Sequence, residues 1–439
     1  MYPMQITSLS SSMSTNILVR KFGGTSVQDA SALRCVLDIV KASTTRQVIV
    51  LSATSGTTDT LLRTARAAGS GDAVTVDGFV TALRERHLHI VEELLGEHPE
   101  DHKSSAIASV TALLDELHAW ARGLIVLGEC TPQSLDAVAS FGERLSTTIF
   151  AAACSAAGLR TQWFDVRTVM RTDDRFVNAR VITDELATLT RNHLLPLFNS
   201  IDVVVTQGFI GSTSDGRTTT LGRGGSDYTG ALLGAALDAN EIQIWTDVSG
   251  IYSTDPRLVP HATPVDSMSF AEVRELALYG AKVVHPDTIA PAIEKSIPVR
   301  VLNTFRSSDS GTLITAAQPD DADVHAATIL RGCLAVFGQD VHFEESPILA
   351  GTGIEHALTI YRQRPLGHLD ESIVTSDVAV ICLCGPRASS PAVISRMTDA
   401  LRPYSVKAVI AGLSSIASFF VVDEDDAVDA LKAVHDTMS

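Results

Sequence analysis

Residues 17–40 read ILVRKFGGTSVQDASALRCVLDIV. An apolar run, Ile17 to Phe22, ends at a Gly-Gly pair. Two hydroxyl residues follow, and then apolar residues recur at spacings of three and four. The run predicts a buried strand, the glycines a tight turn, and the spacing an amphipathic helix. A strand that turns straight into a helix is the repeating unit of a sheet covered by helices.

The unit recurs along the chain. QVIVLSATSGTTDTLLRTA, 47–65, again gives strand, small-residue turn and helix. Residues 73–95 and 102–125 carry amphipathic helix spacing. FGERLSTTIFAAACSAAG, 141–158, is a small-residue helix, and TQWFDV, 161–166, a strand. IDVVVTQGFIGS, 201–212, reads as one strand ending in glycine. SDYTGALLGAALDAN, 226–240, is a helix, and EIQIWTDVSGIYS, 241–253, a strand and turn. Alternating strands and helices predict an α/β fold, a mostly parallel sheet sandwiched by helices. Ligands of such sheets bind beyond the carboxyl ends of the strands, where these glycine turns lie.

After PVRVLNTF, 298–305, the polar stretch AAQPDDADVHA, 316–326, marks a domain boundary near residue 318. From SDVAVICLCG, 376–385, to the end, the pattern is β-α-β-β-α, a small two-layer α+β module. At the front, MYPMQITSLSSSMSTN is Ser-rich with no positive charge and no long apolar run. It predicts a disordered tail over 1–16 rather than a secretory signal, and Met13 offers a second start.

Bulk properties narrow the function. The 439 residues are 45% hydrophobic, enough for one large core and a smaller one. With 34 Lys and Arg against 51 Asp and Glu, the net charge is −17, which argues against nucleic-acid binding. No run is long enough to span a membrane. The six cysteines, Cys35, Cys130, Cys154, Cys333, Cys382 and Cys384, form no CxxC and read as reduced thiols of a cytoplasmic protein.

Six stretches can carry chemistry, and most also have a plain structural reading. In KFGGTS, Gly23 and Gly24 allow close backbone approach, Thr25 opens a helix whose N–H groups suit an anion, and Lys21 adds a charge. The turn could equally be an ordinary strand-to-helix connection with a surface lysine. TTTLGRGGSDYTG, 218–230, could wrap a polyanion at Gly224 and Gly225, with Arg223 forked onto a carboxylate or phosphate. There Asp227 either caps the helix or orients a lysine. In WTDVSGIYSTDPR, 245–257, Thr246, Asp247, Tyr252 and Arg257 could hold a nucleotide or simply shape a turn. Glu143 in SFGERLST could favour the helix dipole or pair with a substrate ammonium. LSATSGTTDTL, 51–61, offers Ser52 and Thr58, and YGAKVVHP, 279–286, offers Lys282, Val283 and His285, the last read as structural. No Ser-His-Asp triad, metal-ligand cluster or GxGxxG after the first strand appears, so hydride transfer and serine hydrolysis lack their parts.

Taken together, KFGGTSV, SFGERLST, QGFIGS, GRTTTLGRGGSDYTG, WTDVSGIYSTDPR and GAKVVHP resemble the aspartate kinases. The likeness runs in order from about residue 17 to 315, and WFDVRTVMRTDDRF, 163–176, is similar to the lysine-sensitive monofunctional subgroup. The resemblance implies ATP- and Mg2+-dependent phosphorylation of the L-aspartate side-chain carboxylate to 4-phospho-L-aspartate, a step toward lysine, threonine and methionine. By motif it places Lys21 on the transferring phosphoryl group, with Gly23, Gly24, Thr25, Gly224 and Gly225 along the phosphates. It makes Asp227 the orienter of Lys21, gives Arg223 the substrate α-carboxylate and Glu143 its ammonium, and adds Ser52 and Thr58 to the pocket. Thr246, Asp247, Tyr252, Arg257, Lys282 and Val283 then hold ATP, and Mg2+ rides on the phosphates with no direct protein ligand.

The resemblance divides the chain into a kinase domain, 17–315, and an ACT-type regulatory region, 325–439, which implies a homodimer and an amino-acid effector. Its second module, 375–439, looks intact. The first, 325–374, departs from the family: CLAVFGQDVHFEESPILAGTGIEHALTIYRQ follows where a Gly-Phe-Leu helix start is usual. Strands are expected at about 328–338 and 356–363 with the intervening helix absent, so lysine feedback is expected to be weakened. Two rivals stand beside this reading: a related kinase of another amino acid, and a noncatalytic amino-acid sensor.

Overall fold

The computed structural model describes residues 16–281, 286–319, 322–338, 347–352, 357–362 and 374–438. The expected N-terminal tail, apart from Asn16, lies outside these residues, as do Lys282, Val283 and His285. The chain forms two compact units, one ending at Gln243 and the other starting at Ile244.

The first unit begins with β1 (Ile17–Phe22), α1 (Ala30–Lys41), β2 (Arg46–Leu51) and α2 (Thr57–Gly69). Helices α3 (Ala73–Leu95), α4 (Glu100–Leu127), α5 (Pro132–Ala139) and α6 (Phe141–Ala156) follow, then β3 (Thr161–Phe164) and α7 (Thr183–Leu189). β4 (Val203–Gln207), β5 (Ile210–Ser212), β6 (Thr218–Thr220) and α8 (Gly225–Ala236) lead into β7 (Glu241–Thr246), in which the chain passes to the second unit. The strands lie in the order β3-β4-β2-β1 and all three pairings are parallel. Ile17, Val19, Val48 to Leu51 and Val203 to Val205 are buried on both faces, as the unbroken apolar runs require.

Local chemistry sets the helix ends. Asp29 caps α1 by accepting from the Ala32 N–H at 2.8 Å, so the helix starts just after the glycine turn. Thr131 caps α5, with Pro132 at its first position. α4 buries Ala106, Val110, Leu114, Leu117, Ala121 and Leu124 at spacings of three and four, and it packs on α3. The expected single strand over 201–212 is corrected. Phe209 adopts φ 68° and its N–H is taken by Thr229 Oγ1, so the chain breaks into β4 and β5, and β5 forms a hairpin with β6.

In the second unit, β8 (Ser267–Ser269), α9 (Phe270–Leu278), α10 (Pro286–Glu294), β9 (Val299–Asn303) and β10 (Thr312–Thr315) follow β7. The strand order here is β7-β9-β10-β8, with β10 parallel to β8 and antiparallel to β9. Ser269 and Glu272 close a reciprocal capping box at the start of α9.

The C-terminal region forms a six-stranded sheet from β11 (Ala326–Gly338), β12 (Leu349–Thr352), β13 (Ala357–Tyr361), β14 (Val374–Cys384), β15 (Val406–Ile410) and β16 (Ala417–Asp423). Its order is β12-β13-β11-β14-β16-β15, and all five pairings are antiparallel. Helices α11 (Pro391–Ala400) and α12 (Ala427–Asp436) cover it. Val393, Met397, Leu431 and Val434 from the helices, with Leu401 just past α11, meet Ile381, Leu383, Phe420 and Val422 from the strands in one core. This is the expected β-α-β-β-α module. β12, within the span where the intervening helix was expected to be absent, was not anticipated, and the rest of that span, 339–346 and 353–356, lies outside the described residues. All six cysteines are free; Cys35 and Cys130 are half-buried and the rest buried. Among the described residues no helix is long and apolar enough to cross a membrane.

Candidate active site

β1 ends at Lys21 and Phe22, and the chain then turns through Gly23 and Gly24 into a short 3-10 helix, Thr25–Val27. The turn is closed by Ser26 N–H donating to the Gly23 carbonyl at 3.0 Å. Thr25 is half-buried on it. Lys21 is 7% exposed, and its Nζ lies 2.6 Å from Asp227 Oδ1. Asp227 sits in the first turn of α8, whose N-cap, Gly224, makes no side-chain cap bond. Asp227 is therefore ion-paired with the lysine. Gly230, three residues on and on the same helix face, makes the approach possible: a Cβ there would lie 3.2 Å from Lys21 Cβ.

The glycine loop before α8 is fixed from beneath by a residue the sequence did not single out. Asp136 on α5 is buried and accepts from Thr220 N–H at 2.9 Å, Thr220 Oγ1 at 2.7 Å and Val177 N–H at 2.9 Å. Burial pushes its carboxyl up, and these three hydrogen bonds oppose the shift. Gly224 caps α8, which starts at Gly225, and the Gly225 N–H donates to the Gly222 carbonyl at 3.0 Å, closing the loop. Arg223 is exposed and makes no hydrogen bond or ion pair with the described residues.

The turn after β2 forms a second wall. Glu143, in the first turn of α6, is 3% exposed and accepts from Ala53 N–H through Oε1 at 3.1 Å. One turn along, Ser146 Oγ donates to the Ser52 carbonyl at 2.8 Å. Gly142 permits this packing, since a Cβ would meet that of Ala53 at 2.6 Å. Glu143 Oε2 is buried and has no hydrogen-bond partner among the described residues. Burial pushes the Glu143 carboxyl up to about 8, with the Ala53 N–H, its own backbone N–H and then the Lys21 charge working the other way. Ser52 and Thr58 are both half-buried on this turn.

His87 stiffens the same turn. It is fully buried, its Nδ1 lies 2.7 Å from the Leu83 carbonyl and its Nε2 3.3 Å from Thr54 Oγ1. A carbonyl only accepts, so Nδ1 carries the proton and Thr54 donates to Nε2. Thr57 Oγ1 in turn lies 2.6 Å from Thr54 Oγ1. Burial lowers the His87 pKa to about 4 and keeps the ring neutral.

The remaining residues expected at the nucleotide belong to the second unit. Thr246 ends β7, and its Oγ1 donates to Asp247 Oδ1 at 3.1 Å. Tyr252 is half-buried. Arg257 is exposed and gripped by the Asp255 carboxylate, with Nη2 at 2.6 Å from Oδ2.

One buried lysine held by a carboxylate, a guanidinium unpaired among the described residues and a buried carboxylate with an unused oxygen suit a polyanion and a small ammonium compound. Residues 16–303 match the amino acid kinase family. The chain is 34% identical to the lysine-sensitive aspartokinase 3 of Escherichia coli strain K12, over 97% of this chain and 99% of that one. It is similar to the crystal structure of E. coli aspartokinase III in complex with aspartate and ADP (R-state), with TM-score 0.76, 32% identity, and 96% and 99% of the two chains covered. The structure of that enzyme in complex with lysine and aspartate (T-state) gives TM-score 0.78 at 33% identity over the same shares.

Proposed function

We propose the residue roles that follow for a chain that belongs to the amino acid kinase family and within it is an aspartate kinase. A side-chain carboxylate of pKa about 4 is ionised at neutral pH and is already a nucleophile, so no general base is needed. One carboxylate oxygen attacks the γ-phosphorus of ATP, the bond from that phosphorus to the β,γ-bridging oxygen breaks, and ADP leaves with its electrons. The obstacle is the meeting of two anions. Positioned positive charge overcomes it.

The observation that carries this reading is the Lys21–Asp227 pair at 2.6 Å. Asp227 aims a single buried ammonium over the Gly23–Gly24 turn, where it meets the transferring phosphoryl group. Gly23, Gly24 and Thr25, with Gly224 and Gly225 at the start of α8, line the phosphates. Glu143 takes the α-ammonium of aspartate through its unused Oε2, Arg223 forks onto the α-carboxylate, and Ser52 and Thr58 complete the pocket. Thr246, Asp247, Tyr252, Arg257, Lys282 and Val283 are assigned to the nucleotide. Mg2+ fits as the nucleotide's own counter-ion: the donors at these loops are N–H groups and an ammonium, which suit phosphate oxygens, and the Asp227 carboxylate is engaged by Lys21. When bound, the ion neutralises phosphate charge.

We further assign catalysis to 17–315 and regulation to 325–439, with a homodimer paired through the C-terminal sheet, whose outermost strands β12 and β15 each have one edge unpaired among the described residues. The free cysteines suit a cytoplasmic setting. Lysine feedback is weak, because the divergent stretch 333–363 replaces the usual effector-binding start; strong inhibition in a lysine titration would overturn that. The activity is tested by ADP release with ATP, Mg2+ and L-aspartate, beside L-glutamate and N-acetylglutamate. Lys21→Ala should lower kcat by ~10²–10³. Turnover with glutamate in preference to aspartate, or a Lys21→Ala variant of undiminished kcat, would sink the assignment.

A further inference from the structure

Away from these loops, three ligand-type side chains converge within the second unit. His261 lies on the segment between β7 and β8, and His435 and Asp436 lie in the last turn of α12. His261 Nε2 is 2.7 Å from Asp436 Oδ1, His435 Nδ1 is 3.7 Å from the same oxygen, and the two rings meet edge to face at 5.1 Å. One donor atom from each residue falls within 4.8 Å of the others. We propose that His261, His435 and Asp436 form a binding site for a divalent first-row transition ion, with Zn2+ the best fit, joining the segment that leaves β7 to the final helix of the C-terminal module.

Five observations carry the assignment. Bonds of about 2.0–2.1 Å in a tetrahedral shell place neighbouring donors roughly 3.3 Å apart, and 2.7 and 3.7 Å bracket that value. His435 Nε2 lies 2.9 Å from Ser253 Oγ, which also accepts from Thr263 N–H at 3.0 Å. Donating Nε2–H to that fixed oxygen leaves a lone pair on Nδ1, the arrangement of an imidazole ligand with its outer hydrogen bond in place. Nδ1 is buried and has no hydrogen-bond partner among the described residues, which a plain His261–Asp436 surface pair does not explain. The site sits at the carbonyl end of the ten-residue α12, where a cation is favoured. It also opens onto a cleft of about 580 Å³, lined in part by the same three residues, from which water can fill a fourth position. Two imidazoles and one carboxylate select Zn2+, Co2+ or Ni2+ over Mg2+, which prefers oxygen.

The test uses the full chain stripped with a chelator. Titration with Zn2+ by calorimetry, and with Co2+ by visible absorption, should show one equivalent with a four-coordinate cobalt spectrum, and Zn2+ should raise the unfolding temperature. The exposed positions permit a His261→Gln/Asp436→Asn double variant. It should lose the equivalent, the spectrum and the thermal shift, yet keep its circular dichroism and its Mg2+-supported turnover. Ser253→Ala should weaken Zn2+ by ~10–100-fold. Absence of saturable Zn2+ binding, or unchanged stoichiometry and affinity in the double variant, overturns the site.

Discussion

Glu143→Gln should stabilise the ligand-free enzyme at pH 8 while destroying its affinity for aspartate. The buried carboxyl has its pKa raised from 4.5 to about 8. A raised acid pKa means that the folded state holds its proton more tightly than the unfolded chain. Below about 4.5 both states are protonated and nothing is lost. As pH rises through 4.5 the unfolded chain ionises first, so the folded state loses ground until its own pKa near 8. At 1.36 kcal/mol per unit, the loss between pH 5 and pH 8 is on the order of 3 kcal/mol. For a unit of this size that is roughly 6–12 °C in Tm. Thermal unfolding of wild type and Glu143→Gln at the two pH values isolates the residue. The variant should gain on wild type by that amount at pH 8, and L-aspartate should stabilise wild type alone, because only an ionised Glu143 gains from its ammonium. Equal pH dependence of the two proteins, or equal protection by aspartate, would refute the reasoning.

Two further outcomes follow from the site. Arg223→Lys keeps the charge but loses the fork, and should raise the KM for aspartate about 10–100-fold, from the roughly 1.5–3 kcal/mol of a hydrogen bond to a charged group, with kcat much less affected; steady-state kinetics decide. His87, its pKa lowered from 6.5 to about 4, gives stability that is full above 6.5 and is lost as pH falls toward 4. Acid unfolding of wild type should therefore steepen in that window by on the order of 3 kcal/mol relative to His87→Gln.

What could be read from the chain were the features written locally. The run into Gly23–Gly24 and the spacing after it announced β1, its turn and α1. The cluster GRGGSD pointed to Asp227 as either a cap or a lysine partner, and the fold chose the partner because Gly230 lets α8 lie against β1. What could not be read were partnerships made at a distance by single atoms. Asp136 reaches Thr220 across 84 positions and His87 reaches Thr54 across 33, and neither carries a motif. The break between β4 and β5 was equally hidden, since an apolar QGFIG continues the strand pattern and only Thr229, twenty residues on, turns Phe209 aside. His261 and Asp436, 175 positions apart, escaped for the same reason.

β11 pairs through its first half with Val380–Cys384 and through its second with both β13 and Val374–Val378. One thirteen-residue strand is thus the common spine of both halves of the C-terminal sheet. In the language of inheritance, no crossover point in that stretch exchanges one half for another without dividing a strand. The C-terminal sheet is therefore transmissible only as a single block.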